Sequence, residues 1–200
     1  MSTPKFKNRP NAHVKYYYND GNGTTINQGF FVGRATAVVG VVLAITGDGN
    51  LNVLISKRSN KMRDEAGKFG VPCGYLDWNE TRHEAMIREI YEETSLYLPD
   101  YVKQLLFNNY GQPFRVKDSP AEDMRENVSH LYVTVLDFRN TPEDFPEEVE
   151  KFTCSETALV KWMTYADFNV QRLNYEWAFN HDQTIMDAIH FFNVNYLPNK

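Results

Sequence analysis

The chain has little cysteine: two residues in 200, Cys73 and Cys154, set too far apart for a thiolate metal site. That count argues against a disulfide scaffold and a zinc knuckle, and it fits a reducing interior, so a cytoplasmic location is expected. Long apolar runs are also missing. The longest, residues 37–45, falls far short of the roughly 20 residues that cross a bilayer. The opening MSTPKFKNRPNAH has no apolar stretch like that of a secretory signal, so a soluble chain without membrane contact is expected. Positive charge is in deficit, with 21 Lys and Arg against 26 Asp and Glu, a net charge of -5. Stable nucleic-acid binding depends on cations that neutralise phosphates, so it is not expected here. Asp20-Gly21-Asn22 and Asp48-Gly49-Asn50 start like calcium loops, but Thr25 and Val53 stand where the sixth-position glycine belongs. Both read as plain turns.

What is present suits one globular core: 42% of residues are hydrophobic, 24% are charged and 14% are aromatic. Residues 1–33 are polar and rich in Gly, Asn and aromatics. They read as an N-terminal extension, a hairpin turning at Asp20-Gly21-Asn22-Gly23, ahead of a main domain over residues 34–200. The apolar, β-branched stretch 35–45 and residues 52–56 are predicted strands joined by the turn 47–50. A glycine-rich loop, 67–74, precedes a predicted helix over 81–94. Strands follow at 129–138 and 158–163, with an acidic loop, 140–151, between them and a last helix over 182–192. Interspersed strands and helices indicate an α/β or α+β fold.

The helix over 81–94 carries the chemistry. At about 100° per residue, Met86, Ile87 and Ile90 fall in one arc of roughly 100°, and Glu89, Glu92 and Glu93 fall in another. The three glutamates are three or four residues apart, so their oxygens can converge. Residues 89–94 contain no Lys or Arg, and Arg88 offsets only part of the repulsion. A helix selected for stability alone would intersperse cations. Hard divalent ions favour such oxygen donors, and magnesium commonly pairs one or two carboxylates with substrate phosphates.

The wider spacing is specific. Gly74 is followed by five residues and Glu80, then seven residues and Arg88-Glu89, apolar Ile90, one residue, Glu92-Glu93, two residues and Leu96. This pattern resembles the Nudix box. Six fixed positions would coincide by chance in such a chain on the order of once in 10⁵. The box usually has Gly where Ser95 stands, which puts the helix end in question. The resemblance implies a Nudix-type α/β/α sandwich with a mixed sheet between helices. It implies hydrolysis of a phosphoanhydride bond in a nucleoside diphosphate derivative, with Mg2+ or Mn2+ as cofactor. It carries over Glu89, Glu92 and Glu93 as metal ligands and activators and the Cys73 carbonyl as a further ligand. Arg88 would orient a carboxylate, and Glu80 would be structural.

Some Nudix members add a glutamate six residues before a tryptophan as ligand or general base, and Glu156 stands so before Trp162. Glu122, Glu126, Glu147 and Glu148 lie in loops that compete for this role. Arg58 is the candidate phosphate contact. Gly111-Gln112-Pro113-Phe114 and Trp177-Ala178-Phe179-Asn180-His181 resemble segments of members that act on ADP-ribose or reduced dinucleotides. In such members an N-terminal extension often builds a homodimer, and rings between Tyr16 and Phe31 would suit a base. ADP-ribose or a related dinucleotide, releasing AMP, is the leading substrate class. Triphosphates or dinucleoside polyphosphates, and a nucleotide sensor without turnover, are the alternatives.

Overall fold

The computed structural model describes residues 35–118 and 127–196 in full, together with the backbone of two N-terminal strands. Those strands, β1 (His13–Asn19) and β2 (Thr25–Phe31), pair antiparallel from His13↔Phe31 to Asn19↔Thr25, as the hairpin expectation requires. The turn between them and the Tyr16 to Phe31 side chains lie outside the described residues, as do Glu122 and Glu126.

The main sheet has β3 (Ala35–Ile45) at its centre, paired parallel with β9 (Asn127–Asp137) and antiparallel with β4 (Leu51–Arg58). β10 (Thr157–Thr164) extends one side beyond β4, and β7 (Leu105–Asn108) extends the other beyond β9. Three short strands complete it: β5 (Phe69–Gly70) on β4, β6 (Cys73–Tyr75) on β3 and β8 (Arg115–Lys117) on β9. The sheet is therefore mixed.

β3 is apolar on both sides because it is covered on both. Val38 and Val42 meet the α1 helix (Arg82–Thr94) through Met86 and Ile90, while Val39 and Val41 meet α3 (His181–Tyr196) through Ile185 and Ile189. Each such side chain removed from water contributes roughly 2 kcal/mol. The layers are helix, sheet, helix, as the resemblance implied. Gly40 allows α1 to come close, since a Cβ there would meet Ile90 Cδ1 at 2.8 Å.

α1 begins with a capping box formed by Thr81 and Glu84. Thr81 Oγ1 accepts from the Glu84 amide at 3.2 Å, and Glu84 Oε2 accepts from the Thr81 amide at 2.7 Å. These bonds hold the Glu84 carboxyl below the usual carboxylate range. α1 ends where Ser95 turns left-handed at φ 65°, so Ser keeps the geometry that Gly usually supplies. Three other expectations shift. The acidic loop 140–151 contains two short 3-10 turns, the second of which buries Val149. A helix, α2 (Tyr165–Gln171), follows β10, capped by Thr164 Oγ1, which accepts from Asp167 N at 3.1 Å. The last helix is longer than its apolar pattern, reaching Tyr196. No helix among the described residues is long and apolar enough to cross a membrane.

Candidate metal and phosphate site

The three glutamates of α1 come together, but not as an open acidic face. Helical spacing puts Glu93 only about 20° from Met86, and burial wins there. Glu93 is 7% exposed, and Arg88, within the same group, is 3% exposed. Burial first, and the charge of Glu89 second, push the Glu93 carboxyl well above the usual range. Burial likewise pushes Glu89 up to about 7, against the opposing pull of Arg88.

Arg88 is the hub. Its Nη2 and Nε donate to Glu80 at 2.6 and 3.0 Å, its Nη1 donates to Glu89 at 2.6 Å and Glu92 at 3.0 Å, and Nη2 also reaches the Tyr75 carbonyl at 2.9 Å. Burial works against its charge, but the Glu80 hydrogen bonds and the Glu89 charge outweigh it, so Arg88 stays firmly protonated. Glu80 accepts from the Asp77 amide at 2.6 Å as well, so it joins the loop before α1 to the helix. The structural part expected of Glu80 agrees with these contacts.

β6 brings in the next donors. Gly74 lies so close to Glu89 that a Cβ would overlap its carboxylate, which explains the glycine that opens the box. The Cys73 amide donates to Glu93 Oε1 at 3.4 Å, placing the half-buried Cys73 backbone beside the carboxylates. Arg58 closes β4, and Thr157, next to Glu156, pairs with it. The Glu156 carbonyl accepts from the Ser59 amide at 2.7 Å. Glu156 itself is exposed, and its charge is felt by both Glu89 and Glu93. All seven residues singled out for the site, Arg58, Cys73, Arg88, Glu89, Glu92, Glu93 and Glu156, thus gather at one end of the sheet.

Glu147 does not join them. It lines an open cavity of about 550 Å³ with Thr46, Asp48, Asn52, Phe145 and Trp162. That cavity contains none of the α1 glutamates. It adjoins Asn52 and Thr164, whereas Arg58 and Thr157 end the same pair of strands at the site. The neighbouring Glu148 is exposed on the same short turn. The sequence-level idea that this loop reaches the site is corrected by the antiparallel register, which sends it to the far end.

A divalent cation suits the donor set: three carboxylates and a backbone carbonyl, all hard oxygens, with buried negative charge that a cation would relieve. Among the described residues no three acidic, histidine or cysteine side chains converge closely enough to cage a metal. Glu89 and Glu92 each turn an oxygen onto Arg88 Nη1 instead. The residues fit an ion that substrate phosphates help to hold.

Sequence reasoning missed the turn that enters α3. Phe179 and Asn180 are both left-handed, at φ 52° and 56°, and a Phe there costs on the order of 1–2 kcal/mol. The Phe179 ring lies 5.3 Å from Arg58 Cζ. His181, which closes the segment that resembles ADP-ribose-type members, is buried, and its Nδ1 accepts from the Val71 amide at 3.1 Å. Burial pushes its imidazole down to about 3. Only Asn180, a residue that tolerates this backbone, signalled the turn. Of the other substrate-class segment, Phe114 packs into the α3-side core and Gly111 faces open space.

The fold has known counterparts. A mutT/nudix family protein from Listeria innocua shares 22% identity, with 82% of this chain and 97% of that one covered and a TM-score of 0.56. The NUDIX domain of Shewanella oneidensis NrtR, solved with ADP ribose, shares 20% identity over 81% of this chain and 90% of that one, at a TM-score of 0.57. A bifunctional NMN adenylyltransferase/ADP ribose pyrophosphatase from Francisella tularensis, complexed with AMP and a Mn ion, shares 20% identity over 80% of this chain and 42% of that one, at a TM-score of 0.52. No curated protein matches the sequence. Residues 34–187, with the box and the sheet that carries it, match the NUDIX domain, and the chain belongs to the Nudix family.

Proposed function

We propose that this protein hydrolyses a phosphoanhydride bond in a nucleoside diphosphate derivative, with ADP-ribose or a related dinucleotide as substrate and AMP as one product. The observation that carries this reading is the gathering of Glu89, Glu92 and Glu93 with Arg88, Arg58, Glu156 and the Cys73 backbone at one end of the sheet. Glu89, Glu92, Glu93 and the Cys73 carbonyl would hold magnesium or manganese. When bound, such an ion neutralises phosphate oxygens and lowers the pKa of a water. Arg88 fixes the Glu89 and Glu92 carboxylates. Arg58 binds a phosphate through its guanidinium, and Glu156, an exposed carboxylate beside the cluster, takes the proton of the attacking water. Water adds to one phosphorus, the bridging P–O bond breaks, and two monophosphates leave. Residues 1–33 are an appendage to this domain and, in this proposal, help to form a homodimer.

A second reading is a nucleotide sensor without turnover. It is supported by the engagement of Glu89 and Glu92 with Arg88, and the NUDIX domain of NrtR, similar in fold, was solved with ADP ribose. One experiment separates the two. The purified protein and its Glu93→Gln variant are incubated with magnesium or manganese and ADP-ribose, dinucleotides, capped nucleotides and triphosphates, and products are separated by chromatography. Release of AMP by the wild type, with a loss of at least about 100-fold in the variant, supports hydrolysis. Tight binding of ADP-ribose without any product supports the sensor.

A further inference from the structure

The α3 entry turn is held from both sides. Before it Ala178 is fully buried, and after it His181 is 3% exposed and bonded to the Val71 amide at 3.1 Å. Between these anchors Phe179 keeps a left-handed backbone that aromatic residues rarely adopt. Such outliers persist where the surroundings over-determine them, and they point to a use for the side chain they aim.

What Phe179 aims at is Arg58. The guanidinium lies over its ring, Cζ 5.3 Å from the centroid, within the range of an attractive cation–π contact. A third group fixes the fork: Arg58 Nε donates to the Asp64 carbonyl at 3.2 Å. The ring commits one face of the guanidinium and the carbonyl commits Nε. Among the described residues the terminal nitrogens Nη1 and Nη2 have no hydrogen-bond or ion-pair partner. Two parallel N–H groups on a fixed plane match two oxygens of a phosphate, and a guanidinium prepared in this way loses little freedom on binding.

We infer that Phe179 is a positioning residue, whose ring, set by the left-handed turn, fixes the plane of Arg58 so that Nη1 and Nη2 meet one phosphate of a nucleoside diphosphate. This rests on the diphosphate reading above. Phe179 touches no reacting atom and acts through Arg58, while its ring also packs edge-on against His181 with centroids 5.6 Å apart.

The test is binding of ADP-ribose to metal-free protein, measured by calorimetry, so that turnover does not enter. Arg58→Ala is expected to weaken binding about tenfold or more, and Phe179→Leu about fivefold. Phe179→Tyr, which keeps the ring, should stay within about twofold of wild type. The double variant should bind no more weakly than Arg58→Ala, because the ring has nothing left to position. Phe179→Gly suits the left-handed backbone, so it is expected to melt no lower than Phe179→Leu and to bind as weakly. The inference is overturned if Phe179→Leu binds like wild type, if the two losses add in the double variant, or if Phe179→Tyr is as weak as Phe179→Leu. If wild-type protein binds ADP-ribose neither without nor with magnesium, the diphosphate reading falls and takes this inference with it; if it binds only with magnesium, the guanidinium does not take a phosphate by itself and the inference alone falls. Additive losses in a protein that does bind sink the inference alone.

Discussion

Arg88 grips Glu80 with one edge of its guanidinium, Nη2 to Oε1 at 2.6 Å and Nε to Oε2 at 3.0 Å, with Arg88 almost wholly out of water. This pair joins the loop before α1 to the middle of the helix. The same guanidinium steadies Glu89 and Glu92. Removing one partner of a buried pair strands the other, so Arg88→Ala is expected to lower stability by about 3–5 kcal/mol. Urea unfolding followed by circular dichroism checks this. A midpoint like that of the wild type would show that the network contributes little.

Gly74 and Glu89 share a tighter constraint. A methyl group at Gly74 meets only the far end of the flexible Glu89 side chain, which can swing away. Gly74→Ala is therefore expected to cost about 1–3 kcal/mol of stability, since the displaced Glu89 loses its bond to Arg88, and to cut ADP-ribose hydrolysis by about tenfold or more. Melting curves and rates on the same preparation test both halves. Unchanged rates would mean that Glu89 does not need its present position.

Ser95 pays the cost of a left-handed backbone at φ 65°. Ser95→Gly is expected to stabilise the protein by about 1 kcal/mol, a rise of about 2–4 °C in the melting midpoint. It touches none of the site's contacts, so the hydrolysis rate should not change. A lower midpoint in calorimetry would contradict the strain argument.

His181 gives the fold a pH dependence. In the folded protein burial pushes its imidazole down to about 3. In the unfolded chain it titrates near pH 6.5. As the pH falls below about 6.5 the unfolded chain takes up a proton that the folded one refuses. Its contribution is thus fully present above that pH and is lost as the pH drops toward 3, at up to about 1.4 kcal/mol per pH unit. In His181→Gln the amide oxygen can still accept from Val71, and the loss between pH 7 and pH 5 should be smaller. Urea midpoints at the two pH values decide it. Equal slopes for the two proteins would remove His181 as the cause.

Much of the site was legible because the box is local. Glu89, Glu92 and Glu93 lie within two helical turns, so their convergence follows from helix geometry. Arg88 was harder to read, because its burial depends on Glu80 and the Tyr75 carbonyl, which reach it only once the preceding loop is folded back. The register that joins Glu156 to the site and sends Glu147 to the far cavity is long-range, set when β10 pairs with β4.

The sequence by itself determined the family, the α/β class and which carboxylates α1 brings together, because each is written in short-range spacing and apolar periodicity. Only the tertiary structure decided that Arg88 is buried among those carboxylates, that His181 is a core acceptor for the Val71 amide, and that Phe179 lies under Arg58. The Phe179 and Arg58 contact joins residues more than a hundred positions apart. No local pattern encodes a meeting that exists only after the α3 entry turn is pinned against β4 and β5.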